Sequence, residues 1–206
     1  MRAWRTVAVV AGVAAVLAGS VATASAEPAT VRPMGIGYAN TVNGATTIRS
    51  AASSSTFYVG TAVRGDNLAD ICWINGADSG SWDLVLERTG ASGDHFSNTV
   101  GYVPETDLWD GGQNQHIPCP VSNTTSVRGN TTMRSAPNTG SYAVGTAIPS
   151  DRLSVYCVIT DGNGENWDLT VQQAGRGGDH LPYAASMIPA NALGAPSTTI
   201  PACGES

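Results

Sequence analysis

Apolar and polar side chains alternate with period two along residues 153–160. Leu153, Val155, Cys157 and Ile159 fall on one side; Ser154, Tyr156, Val158 and Thr160 fall on the other. β-Branched and aromatic residues in that alternation predict a strand. The same phase at Leu68, Cys72 and Ile74 predicts a second one, with those three residues on the matching face. Trp82, Leu84 and Leu86 predict the following strand, and Trp167, Leu169 and Val171 predict it again. Turn-rich stretches at 76–81 and 161–166 separate the members of each pair. Shorter runs at 47–50 and 132–135, at 58–63 and 143–148, and near Tyr102-Val103 and Met187-Ile188 complete the pattern. Asp66 and Asp151 stand just before a strand, where their side chains suit a tight turn. About five short strands joined by turns, with no helical period, predict a small all-β barrel.

That pattern occurs twice. Positions 46–108 recur in register at 131–193, so that Arg49 matches Arg134, Cys72 matches Cys157, Trp82 matches Trp167 and His95 matches His180, always 85 residues on. A constant offset over this length means two copies of one structural unit. A duplicated unit suits two similar binding faces on a short tether better than a single asymmetric active site. The expected organisation is a signal peptide over 1–26, an N-terminal extension over 27–45, a first repeat over 46–120, a linker over 121–130 and a second repeat over 131–206.

The leader reading rests on Arg2 and Arg5, an apolar run over 7–17 and small residues at Ala24-Ser25-Ala26. The run is too short to span a bilayer and ends at residues of the type signal peptidase cuts after. The mature chain is then expected outside the cell, without membrane insertion. Removing the leader takes the formal charge from −6 to −8, and the chain has no lysine. An acidic surface without basic clusters argues against nucleic acid and anionic membrane as partners. The four cysteines, Cys72, Cys119, Cys157 and Cys203, suit an oxidising compartment. Three pairings are open to them. The repeat favours Cys72 with Cys119 and Cys157 with Cys203, which would give two equivalent, autonomous units and pin each C-terminal tail onto the central strand. No C-x-x-C spacing supports a zinc site.

These residues carry a family resemblance. Thr-Met-Arg-Ser-Ala-Pro-Asn-Thr (132–139), Val-Gly-Thr (144–146), Asp-Arg-Leu-Ser-Val-Tyr-Cys (151–157) and Trp-Asp-Leu (167–169) resemble the bacterial SH3-like domain. Gly101-Tyr102-Val103 is similar to that family's closing motif, and Thr47-Ile48-Arg49-Ser50-Ala51 to its opening. The two cysteine positions are similar to those of secreted actinobacterial members. The resemblance covers most of the mature chain. It implies two SH3-like half-open β-barrels in tandem, each with one disulfide, and a non-catalytic targeting or binding role. The implied partner is a cell-wall peptide or a secreted or cell-surface ligand, with no cofactor. A disulfide-stapled inhibitor that presents the loop over 90–99 to a secreted enzyme is the alternative.

Several residues are candidates for chemistry. Gly-x-x-Gly-Asp-His recurs at 90–95 and 175–180, placing Asp94 beside His95 and Asp179 beside His180. Adjacent side chains on an extended chain diverge, so these pairs are expected to brace their own loops rather than bind metal or catalyse. Asp161-Gly-Asn-Gly-Glu165 places oxygens at alternate positions, but its counterpart over 76–80 does not, so a polar turn is expected. Trp82 and Trp167 recur and are expected in the core. Tyr58, Trp73 and Trp109 do not recur: their counterparts are Ala143, Val158 and Gly194. Aromatics that the barrel does not demand are candidate binding platforms. With Tyr102 of the closing motif they form the expected ligand face, on the first copy, leaving the second mainly structural.

Overall fold

Thirteen strands, all antiparallel in their sheets, build the protein in a computed structural model that describes residues 38–89, 96–109, 117–121, 123–174, 182–195 and 199–203. The strands of the first copy are β1 (Tyr38–Val42), β2 (Ala45–Arg49), β3 (Tyr58–Val63), β4 (Asn67–Asn75), β5 (Ser81–Thr89), β6 (Thr99–Pro104) and β7 (Leu108–Trp109). Those of the second are β8 (Thr124–Thr125), β9 (Thr131–Arg134), β10 (Ala143–Ala147), β11 (Arg152–Thr160), β12 (Asn166–Ala174) and β13 (Ala185–Pro189). The sheet orders are β3-β2-β6-β5-β4-β1-β7 and β10-β9-β13-β12-β11-β8. The chain divides after Arg32, and all described residues belong to the unit spanning 33–206.

The five predicted strands of each copy form where the alternation placed them. β1, β7 and β8 are additional, and β1 and β8 lie in segments expected to be extension and linker. Asn40 pairs with Leu68, and Thr125 pairs with Leu153 at the same offset. These segments are too short and polar to show a period of their own. They become strands because β4 and β11 offer them an edge.

Both sheets curl, and bulges at equivalent places explain why. Register shifts fall between Asp70 and Cys72 and between Val155 and Cys157. A bulge bends its strand and increases local twist. It also flips the side-chain phase, which corrects the expectation for Leu68, Cys72 and Ile74. Leu68 packs with Val42, Ile48 and Val103, whereas Cys72 and the half-buried Ile74 join Trp82, Leu84 and Leu86 on the other side. β5 is consequently buried on both faces, with Leu84, Val85 and Leu86 all at 1% exposure or less.

The side of the sheet that carries Cys72 is where the two copies meet. Cys72, Trp82, Leu84, Leu86, Val100 and Tyr102 share one core cluster with Cys157, Trp167, Leu169, Val171, Ala185 and Met187, their counterparts. The contact is reciprocal. Val100 N donates to Ser135 O, and Ala185 N donates to Ser50 O, both at 2.8 Å. Each partner of the first bond has its equivalent in the second, the pattern of a self-complementary two-fold interface. The expectation of two autonomous units on a tether is corrected here. A sheet that is apolar on both faces cannot leave either to water, so each copy covers the other.

Local chemistry repeats with the same fidelity. Asp66 Oδ2 accepts from Val63 N at 2.7 Å and Asp151 Oδ2 from Ile148 N at 2.9 Å, closing the expected turns. Arg49 donates to Thr56 O and Arg134 to Ser141 O, bracing the loop that follows β2 and β9. The disulfides join Cys72 to Cys119 and Cys157 to Cys203, within copies as the repeat favoured. They hold each tail parallel to its central strand: Trp73 N donates to Ile117 O and Cys119 N to Trp73 O, while Val158 N donates to Pro201 O and Cys203 N to Val158 O.

Candidate functional site

The four expected ligand residues do not share a face. Tyr58 lies on β3 at one edge of the seven-stranded sheet, 44% exposed, its hydroxyl 3.1 Å from Thr61 Oγ1. Trp109 lies on β7 at the opposite edge, where it lines a recess of about 300 Å³ with Val42 and Arg64. Tyr102 is corrected outright: its side chain is fully buried in the shared core and presents nothing to a ligand. Burial holds its phenol well above the usual range, with Tyr156 and Tyr183 adding to the effect. Asp94, His95, Asp179 and His180 lie outside the described residues.

Trp73 finds different company. Because the copies pack together, it lines a cleft of about 340 Å³ with Tyr156 and Tyr183 of the second copy. Pro118 and Cys119 form the wall beside it, fixed by the Cys72–Cys119 bridge. Tyr156 donates its hydroxyl hydrogen to Pro120 O at 3.1 Å, which ties the second copy to the tail of the first. Desolvation raises the Tyr156 phenol above its usual range, so it remains a neutral donor at physiological pH. Gln173 reaches the cleft from β12 with its amide oriented by a 2.8 Å bond from Nε2 to Ser154 Oγ. That leaves Oε1 as a positioned acceptor.

Tyr183 is the unusual member. Its backbone has φ 64°, in the left-handed region, and its ring is 45% exposed. The bonds Tyr183 N to Gln172 O and Gln172 N to Ala184 O hold it in that turn. Its counterpart Asn98 has φ 61°. Asparagine tolerates this conformation, but a bulky residue there is an outlier. The second copy therefore keeps a strained tyrosine where the fold would accept asparagine, and strain of this kind concentrates at functional sites.

The first copy was the expected ligand face, but two of the three rings in the cleft come from the second. Like Trp73, neither tyrosine recurs. Tyr156 stands opposite Ile71 in the repeat, and Tyr183 opposite Asn98. What the repeat did not reveal is that the copies would turn these side chains toward one cleft.

The loop Asp161-Gly-Asn-Gly-Glu165 is the expected polar turn. Asp161 Oδ1 accepts from Asn163 N and Glu165 N, and Oδ2 accepts from the Trp167 indole at 3.3 Å. The Glu165 amide leads the interactions that lower this carboxyl below its ordinary value. In the first copy Asp78 binds the Trp82 indole at 2.9 Å. Among the described residues, no group of three or more His, Cys, Asp and Glu could hold a metal ion, and no helix is long and apolar enough to cross a membrane.

The fold and the cleft together define an all-β, disulfide-bridged protein of two symmetry-related copies. No family model matches the chain, and no curated protein matches its sequence.

Proposed function

We propose that this chain is a non-catalytic extracellular binding protein that takes its ligand in the cleft between the two copies. On this reading it is a tandem pair of SH3-like units fused through a common core. The leader-like segment over 1–26 and the two disulfides support an oxidising, extracellular setting. A concave site with aromatic walls and a few oriented polar groups is the ordinary form of a ligand site. The observation that carries the proposal is the convergence of Trp73, Tyr156 and Tyr183 on one cleft, with Tyr183 held at φ 64°. The surrounding partner is cell-wall material or another secreted ligand.

Binding of the chain over 27–206 to purified peptidoglycan sacculi tests this reading. Retention that weakens in Trp73→Ala and persists in Tyr58→Ala supports it. Retention equal in all three proteins would place the ligand elsewhere.

A further inference from the structure

The chemistry of the cleft restricts what can occupy it. Its walls are Trp73, Tyr156 and Tyr183, with Asn75 and Gln173 as polar members. Among the described residues, no arginine, histidine, aspartate or glutamate lines it, although the chain carries a formal charge of −6. A peptide bearing carboxylates would enter an acidic protein at a place whose described walls offer no cation to receive it. Burying unpaired charge there is unfavourable. A strongly cationic ligand would find no carboxylate on the described walls either. The complementary occupant is uncharged.

The same walls say which uncharged class fits. A pyranose ring presents a face of C–H groups that stacks on an aromatic ring, and a rim of hydroxyls that both donate and accept. Trp73 and Tyr183 supply exposed or half-exposed faces, and aromatic rings with a polar tip suit such amphipathic ligands. Gln173 Oε1, oriented by Ser154, and the Asn75 amide supply the acceptor and donor for the rim. The floor beneath is the shared core, including the disulfide, Val171 and the Tyr156 ring, so Tyr156 is held in place before any ligand arrives.

From the neutral lining of the described walls, the converging rings and the strained Tyr183 we infer that the cleft binds a neutral pyranose oligosaccharide. This rests on the proposed binding function and assigns its ligand class.

The test uses the chain over 27–206 with chitohexaose, cellohexaose and maltohexaose, and separately with an anionic stem tetrapeptide. Titration calorimetry and tryptophan fluorescence read binding. Trp73→Ala, Tyr183→Asn and Tyr58→Ala are measured alongside, with thermal melts to show that each variant folds. Asparagine suits the backbone at 183, so Tyr183→Asn removes the ring without disturbing the turn. The expected result is saturable binding of at least one hexaose, weakened about thirtyfold by Trp73→Ala or Tyr183→Asn and unchanged by Tyr58→Ala. Tetrapeptide binding that depends on Trp73, with no hexaose binding, overturns the sugar assignment and leaves the cleft as the ligand site. Failure of every probe, or binding indifferent to Trp73, overturns both.

Discussion

Removing the second disulfide by Cys157→Ala with Cys203→Ala tests whether the two copies are one folding unit. The bridge joins positions 46 residues apart. In the chain-entropy picture, freeing a loop of that size stabilises the unfolded state by about 4 kcal/mol. The other bridge, Cys72–Cys119, stays intact and lies wholly in the first copy. If the copies were independent, the first would not register the change. The structure argues otherwise, because Trp82, Leu84 and Leu86 pack in the same cluster as Trp167, Leu169 and Val171. Exposing one set exposes the other. Hydrogen exchange resolved by peptide reads each copy separately. The slowest amides of β4 and β5 should exchange about a thousandfold faster in the variant, as should those of β11 and β12, since about 1.4 kcal/mol corresponds to tenfold. Faster exchange confined to β11–β13, with β4 and β5 at their original rates, would refute the shared core.

Four further changes probe single features. Gly101→Ala should destabilise by about 3 kcal/mol or abolish folding, read by urea unfolding, because a Cβ there would lie 2.5 Å from Arg49 O and from an Ile48 methyl. Asp168 is buried and its carboxyl is pushed up from 3.8 to about 6, so folding stability falls as pH rises through that interval; Asp168→Asn should be the more stable protein at neutral pH and lose its advantage as the solution is acidified through the interval, as thermal melts across pH would show. The Asp161 carboxyl is shifted the other way, so its contribution is present above 3.8 and disappears as pH falls through the lower folded value; Asp161→Ala should remove that acid limb and move the Trp167 indole N–H resonance. Tyr183→Asn should raise stability by about 1 kcal/mol in urea unfolding while ligand binding falls, because asparagine relieves the backbone strain at φ 64° and takes the ring away.

Much of this protein was legible along the chain because a strand writes its period into neighbouring residues. Trp82-Leu84-Leu86 and Trp167-Leu169-Val171 show the alternation directly, and both triplets face one core. The repeat made the disulfide partners and the Asp66 and Asp151 turns readable, since equivalent units must close in equivalent ways. The core tryptophans were marked by recurring, and the candidate aromatics by failing to recur. Three matters waited for the tertiary structure. The bulge after Asp70 separates Leu68 from Cys72, and no single-residue property announces a bulge. β1 and β8 exist only because a neighbouring edge accepts them. The cleft needs the reciprocal bonds Val100 to Ser135 and Ala185 to Ser50, which bring Trp73 of one copy to Tyr156 and Tyr183 of the other. Local pattern determines which face of a strand is apolar. Only three-dimensional packing decides what covers that face, and here the covering surface is the second copy of the same unit.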